Sequence, residues 1–492
     1  MPSLPGYHGR CLKIDVSTRS SVVVDIPNQV LKDFMGGSGL GTWLLLEHCP
    51  DGVDPLAPES PLVFVFSPLV GSPLTTSAKF AVLSKSPLTQ RINDSLSSSG
   101  FAIAGKKCGY DAIMIVGATE SPLCIVVEDS SIRFETADDV WGMSSGNAEQ
   151  ILGKRLGKGF RIAAIGPAGE KLVRYATVSH DGRHAGRGGL GAVMGSKRVK
   201  ALAVRGTLQT PFAFPEELVA YSRELSKKSF GPATEKYREL GTVSNLLTFN
   251  RLGTLPTRNF QAGSFAEAEL LSPEVMSQTH ERTRSSCAAC TIGCEHIFHS
   301  TDRADSGDST GVRMEYENLF ALGPLCGISD SNVVLEASRI CDELGLDTIS
   351  AGGSIAFAME CVEHGLLDEP DLNFGNGAAL LATLRKIGAR EGIGDLLADG
   401  TRIASRKIGQ GAEAFAAHVK GLELPGYEPR VLQTMALGFA VGSRGADHNR
   451  SGAYQVDFSD KVDRLNINES AVPLAIETED EAALMDSLIL CK

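Results

Sequence analysis

Three cysteines, Cys287, Cys290 and Cys294, stand within eight residues, and a fourth, Cys491, lies at the far end of the chain. Four thiolates hold an iron–sulfur cube, and short local spacing lets neighbouring ligands converge on it. A three-plus-one division favours a cube over structural zinc, where paired CxxC units are commoner. A zinc knuckle, or buried free cysteines in a helical segment, is the alternative reading of the same spacing. Taken as a cluster site, the pattern predicts a redox protein whose distant stretches come together.

Composition narrows the rest. The chain has 492 residues, enough for roughly two to four domains and a large core. Lys+Arg total 47 against 59 Asp+Glu, a formal net charge of −12. That balance argues against sequence-independent nucleic-acid binding, which rests on phosphate neutralisation. Apolar residues make up 42%, ordinary for a folded chain. The N-terminus lacks a signal-peptide core, and no run of about 18 apolar residues predicts a membrane span. Eleven scattered cysteines suit a reducing cytoplasm better than a disulfide scaffold.

Residues 1–208 read as strand-rich. Short β-branched runs recur at 12–16, 21–26, 62–66, 80–83, 112–116, 123–128 and 161–165, each bounded by turn residues. Helical periodicity takes over in 209–420, at 216–228, 333–344, 354–364 and 378–390. Asp330 is placed to cap the second of these helices and Gly345 to stop it; Gly365 closes the third. The polar run 301–310 reads as a surface loop. A third, helical segment spans 421–492, and its end just after Cys491 suggests a truncated or split version of something longer. The expected class is α+β: a β-rich N-terminal domain, then two mostly α-helical domains, the last one partial.

Several stretches carry chemistry. The run 186–197 holds Gly186, Gly188, Gly189 and Gly191 together with the cations Arg187 and Lys197, a combination that suits phosphate. It is neither a Walker loop nor a dinucleotide fingerprint, and a glycine-rich turn is the plain alternative. Two hexads, 342–347 and 486–491, share the form Asp-x-x-(Gly or Ile)-Leu-(Asp or Cys) and hint at a pseudo-symmetric ligand. Their carboxylates can accept N–H groups such as those of a pterin ring; singly, each is an ordinary helix terminus. Glu317, before an apolar run, and His448, in a glycine-containing loop, are candidates for proton transfer. Cys326, between Leu325 and Gly327 and just after Pro324, is a possible metal ligand or a buried inert thiol.

Together these segments resemble the aldehyde ferredoxin oxidoreductase family of tungsten, sometimes molybdenum, bis-pterin enzymes with one [4Fe–4S] cluster. The resemblance runs from Leu12 to Cys491. Its landmarks are Ser-Lys-Ser-Pro-Leu-Thr at 84–89, Gly-Tyr-Asp-Ala at 109–112, Ile-Gly-Pro-Ala-Gly-Glu at 165–170, the glycine-rich run, Leu-Pro-Thr-Arg-Asn-Phe at 255–260, the cysteine triplet, the first hexad and Glu-Leu-Pro-Gly-Tyr-Glu-Pro-Arg at 423–430. The resemblance implies Cys287, Cys290, Cys294 and Cys491 as cluster ligands. It implies Asp342 and Asp486, with Gly345 and Asp347 of the first hexad, as pterin neighbours. Lys79 falls where the family often has an arginine near the pterin phosphates. Ala185 matches a residue whose carbonyl helps hold a magnesium ion bridging those phosphates, and Arg187 follows it. Glu317 and His448 match the acid–base pair.

Departures are also present. Ile489 replaces the glycine expected in the second hexad. Leu96 stands where a magnesium-binding asparagine is usual. Arg339 replaces the histidine of an ExxH pattern that supplies a subunit-bridging metal in some dimers, so that bridge is not expected, whereas a homodimer or larger complex still is. The leading expectation is oxidation of an aldehyde to a carboxylic acid, with electrons passing to ferredoxin. One rival is the tungsten subunit of the ATP-independent benzoyl-coenzyme A reductase, where a cysteine ligates tungsten and Cys326 occupies a suitable position. The other is a truncated, non-catalytic electron-transfer remnant.

Overall fold

In the computed structural model the described residues are 4–129, 131–299 and 311–491. The polar run 301–310 lies outside them. β-Branched and aromatic runs become strands because they pack well on a pleated, half-buried surface. Strands β1 (Arg10–Asp15), β2 (Ser20–Asp25), β3 (Leu62–Val65), β4 (Lys79–Lys85), β5 (Ile92–Ser98) and β6 (Ala112–Val116) form a six-stranded sheet ordered β2-β1-β6-β3-β4-β5. Strands β7 (Leu123–Glu128), β8 (Ser131–Thr136), β9 (Arg161–Ala164), β10 (Val178–His180), β11 (Arg183–Ala185) and β12 (Val199–Arg205) form a second, ordered β11-β10-β9-β12-β7-β8. Each sheet has one parallel pair, β1 with β6 and β7 with β12, which start at registers Cys11↔Ala112 and Val199↔Leu123. Leu12, Phe64, Phe80 and Val82 of the first sheet meet Ile125, Val127, Leu202 and Val204 of the second in one core. The seven strand runs expected from the sequence all appear; β5, β8 and β10–β12 come in addition.

From Pro215 onward helices dominate, so the architecture is α+β. Helix Ser331–Leu344 starts at Asp330, whose side chain accepts from the Asn332 N–H, and ends at Gly345 in the left-handed region (φ 75°). Helix Thr348–Glu363 is buried almost all round, as a central core helix must be. The main core runs from Leu246 and Phe249 through Phe320, Ile355 and Leu384 to Phe439 and Ala475. Residues on both sides of position 420 therefore share it.

The last helix, Ala471–Leu488, lies on helix Gly37–His48 of the strand-rich region. Ile489 is then fully buried beside Leu40, Leu44, Val63 and Val65. Burying one such side chain stabilises by about 2–3 kcal/mol, enough to pin the chain end where Cys491 follows. Among the described residues, no helix is long and apolar enough to cross a membrane.

Candidate functional site

The cysteine triplet occupies the connection of a β-hairpin. Strands Glu281–Ser285 and Glu295–His299 pair antiparallel up to Ser285↔Glu295, so the loop 286–294 is held at both ends. Its tip is tied to the strand-rich region. The Thr76 N–H donates to the Ala289 carbonyl (2.8 Å), and the Thr291 N–H to Thr75 Oγ1 (3.0 Å). Within the loop the Cys290 N–H donates to Cys287 O (3.1 Å), and the Ile292 N–H points at Cys290 Sγ (3.4 Å). An N–H directed at sulfur is how protein tunes a cluster thiolate.

Cys491 reaches this loop. Burial raises both the Cys287 and Cys294 thiols, Cys294 to about 12, and the charge of Cys491 adds to each. Arg183 opposes the rise at both, and Lys79 also opposes it at Cys287. Sulfurs around one tetrahedral zinc lie roughly 3.8 Å apart. Among the described residues, the only group of three or more His, Cys, Asp or Glu with ligand atoms within 4.8 Å of one another is Glu149, His180 and Asp181. No three of the four thiol sulfurs therefore lie within that distance of one another.

Glu317 sits on helix Tyr316–Leu322 and His448 opens the short helix His448–Ser451, not a loop. Glu317 Oε1 lies 3.5 Å from His448 Nδ1. The Gly426 N–H donates to Glu317 Oε2 (3.0 Å), while Tyr316 Oη donates to the Gly426 carbonyl (2.6 Å). Tyr427 stacks on the His448 ring (4.8 Å, 24°) and Tyr454 packs against Tyr427 (4.9 Å). Burial pushes Glu317 up to about 8; the Gly426 N–H and Arg187 oppose this, and Asp447 and Asp347 add to it. Its side chain nonetheless keeps 18% exposure. It is a largely buried acid.

Between this pair and the sheets runs a polar layer. β5 reads Ile-Asn-Asp-Ser-Leu-Ser-Ser, with Asn93, Asp94, Ser95 and Ser97 buried. Asp94 pairs with Arg444 and Arg450 and accepts from Ser38 Oγ. Burial would raise its carboxyl, but the two guanidinium groups outweigh that and hold it well below the usual range. Arg450 also reaches Asp486 (3.5 Å) and Arg444 reaches Asp447 (2.7 Å). Asn93 Oδ1, Ser97 Oγ and Arg450 Nε are buried without hydrogen-bond partners. Buried polar atoms left unmet are costly, and this set fits a polar ligand between β5 and residues 444–450.

The two hexads share a local geometry. Asp342 and Asp486 each stand three residues before a left-handed helix stop, Gly345 (φ 75°) and Ile489 (φ 52°). Asp342 is 43% exposed and lies 3.2 Å from His184 Nε2. Asp347 caps helix Thr348–Glu363, accepts from Ser350 Oγ (2.7 Å) and meets Arg187 Nε (3.3 Å).

Other residues stand differently from expectation. Arg187 is buried and donates to the Ala446 and Glu423 carbonyls (2.7 Å each), so its guanidinium clamps the chain flanking the Glu317–His448 pair. That leaves few donors for a phosphate. Lys197 is buried against the Pro58 carbonyl (3.0 Å), and burial lowers it to about 8. Gly189 and Gly191 abut backbone at Arg174 and Thr177, whereas Gly186 faces open space. Ala185 is buried at the end of β11, and Lys79 opens β4. Cys326 lies in the main core, its thiol against the Ala321 and Gly352 carbonyls (3.4 and 3.6 Å), and burial pushes it up to about 12. It is a packed core thiol. Arg339 pairs with Glu336 and Glu343 on its own helix.

The sequence reading missed the Asp94–Arg444–Arg450 network and the glycine run 36–41. The second left a signal, four glycines in six residues. The fold sets helices on a strand-rich base and buries a Glu–His pair, and a family of oxidoreductases matches the chain from end to end. The description "Aldehyde ferredoxin oxidoreductase, N-terminal domain" matches residues 11–206, and "Aldehyde ferredoxin oxidoreductase, domains 2 & 3" matches 217–492. The chain belongs to the aldehyde ferredoxin oxidoreductase family. It is 37% identical to the tungsten-containing aldehyde ferredoxin oxidoreductase of Pyrococcus furiosus, across 99% of this chain and 81% of that protein. It is 30% identical to the aliphatic sulfonate oxidoreductase, WOR-like subunit, of the same organism, across 91% of this chain and 76% of that one. In fold it resembles the active-site complex BamBC of benzoyl coenzyme A reductase, with a TM-score of 0.83 at 24% identity, covering 99% of this chain and 82% of that one.

Proposed function

We propose that this chain oxidises an aldehyde to a carboxylic acid and passes the electrons to ferredoxin. The observation that carries the reading is the buried Glu317–His448 pair, 3.5 Å apart, in a chain that resembles tungsten-containing aldehyde ferredoxin oxidoreductases along its whole length. Cys287, Cys290, Cys294 and Cys491 would hold a [4Fe–4S] cluster. The polar layer of β5 and residues 444–450, with Asp342, Asp347 and Asp486, would hold a bis-pterin, and the Ala185 carbonyl a magnesium ion between its phosphates. When bound, a pterin-held tungsten or molybdenum supplies Lewis-acid polarisation and accepts two electrons.

The protein's own residues handle the proton. Near neutral pH most Glu317 is protonated, since burial holds it at about 8. It accepts a proton from water or hydrated aldehyde only once ionised. His448 is fixed by the stacked Tyr427 ring and offers a hydrogen bond to the developing oxygen charge. The aromatic wall of Tyr316, Tyr427 and Tyr454 excludes bulk water and strengthens both interactions. Domain boundaries at 208 and 420 and assembly into a dimer or larger complex belong to the same proposal.

The test is anaerobic purification with iron, tungsten, molybdenum and pterin analysis, followed by assay with simple aldehydes and a viologen dye. Aldehyde-dependent reduction by protein holding iron and a pterin metal is expected. Turnover of an aryl-coenzyme A with no aldehyde activity would replace the reading by the ring-reductase one. Iron without tungsten or molybdenum would leave an electron-transfer remnant.

A further inference from the structure

A further group of ligand-type side chains, Glu149, His180 and Asp181, lies by the β10–β11 end of the second sheet. His180 ends β10, and Asp181-Gly182 forms the two-residue turn into β11, both with positive φ (53° and 63°). Such a left-handed pair is the turn that suits strand twist. Glu149 projects from helix Ser145–Leu156, and its Oε2 accepts the Asp181 N–H (3.1 Å). Three elements therefore converge on the imidazole.

The imidazole is oriented by the backbone. His180 Nδ1 lies 2.6 Å from the Ile162 carbonyl and 3.1 Å from Glu149 Oε1, both acceptors, so Nδ1 carries a proton. A backbone carbonyl behind one ring nitrogen is the usual support for a histidine whose other nitrogen binds metal. That other nitrogen, Nε2, is fully buried and makes no aligned hydrogen bond, although Asp181 Oδ2 sits 3.0 Å away. A nitrogen and a carboxylate oxygen at that distance need a positive charge between them, which a second ring proton supplies at neutral pH and a bound metal ion would replace. Burial disfavours charge on His180, yet Asp181 and Glu149 push it up to about 9, so the place favours a cation.

We propose that Glu149, His180 and Asp181 bind a divalent transition-metal ion that ties helix Ser145–Leu156 to the β10–β11 hairpin. Their ligand atoms already lie within 4.8 Å of one another. One imidazole and two carboxylates suit zinc, with further positions left for water. Access is through an open cleft of about 630 Å³ lined by Glu149, Arg161 and Asp181, with Lys154 and Lys158 at its wall. Arg161, 4.0 Å from Asp181 and half exposed, is the local cation that must swing aside.

The experiment uses the holoenzyme, whose cluster thiols are occupied. It is stripped of loosely held ions with EDTA, given zinc alone and gel-filtered. The expected result is one equivalent of retained zinc and a higher Tm that EDTA reverses. Asp181→Asn keeps a residue that tolerates positive φ; it should take up no zinc and show no shift, with iron content and aldehyde activity unchanged. Glu149→Gln should behave likewise. Equal zinc uptake by wild type and both variants, or none by wild type, overturns the proposal and leaves His180 as a buried imidazolium between two carboxylates.

Discussion

Glu317 is the residue on which stability and chemistry oppose each other. Its folded carboxyl titrates near 8 against an ordinary 4.5, because burial disfavours the anion. The folded protein thus holds a proton that the unfolded chain has lost, and stability falls as pH rises between those values. At pH 7 the cost is about 3 kcal/mol. Glu317→Gln keeps an oxygen for the Gly426 N–H and removes that cost, so its Tm should rise at pH 7 and hardly move at pH 4. Aldehyde turnover of the same variant should fall by about 10²–10⁴-fold. An unchanged rate would remove Glu317 from the proton path. Wild-type kcat should climb as pH rises towards about 8 and then level, as Glu317 ionises. A flat profile over that range would mean another group takes the proton. Both partners of this pair were legible in the sequence, although His448 opens a helix. The bonds of Arg187 were not: its charge suggested phosphate, whereas folding spends it on two carbonyls far away in the chain.

Elements were legible where burial is apolar and obscure where it is polar. Six of the seven runs that became strands bury apolar side chains in a core; β2 is the exception, with Val22 and Val23 exposed. β5 carries Asn93, Asp94, Ser95 and Ser97 inward instead, so no hydrophobic alternation marks it. The partner of Asp94, Arg444, stands 350 residues away, and a pairing at that distance leaves no local trace. The glycine run that opens helix Gly37–His48 has a packing reason. Gly37 has φ +43°, and a Cβ there would run into the Asp486 carbonyl and Ile489. Gly37→Ala should therefore cost about 2–4 kcal/mol through overpacking and left-handed strain, and should lower iron per chain by displacing Cys491. Gly146 offers the control. It is helical, and a methyl group added there would meet nothing within 4 Å, so Gly146→Ala should gain about 0.5–1 kcal/mol and leave iron untouched. Equal iron in both variants would show that Cys491 does not depend on the seating of Ile489.

At the scale of the whole molecule, the four cysteines stand on parts of the fold far apart in the chain. The 286–294 loop is tied to Thr75 and Thr76 of the strand-rich base, and Cys491 arrives on the helix that packs across Gly37–His48. Metal binding to such a set adds its free energy to the folded state. In the proposed holoenzyme the cluster should act as a clasp on the chain end, whose other fastening is mainly Ile489, worth about 2–3 kcal/mol of burial. Removing the iron should then loosen residues 471–491 first. Hydrogen exchange there should quicken in iron-free protein, while β3, β4 and β6, buried between elements on both faces, keep their protection. Cys491→Ser should reproduce that selective loosening without chelation. If exchange instead quickens equally through β3, β4 and β6, the cluster supports the whole fold rather than its end; if it quickens nowhere, Cys491 is no ligand and the chain end is held by Ile489 and its helix alone.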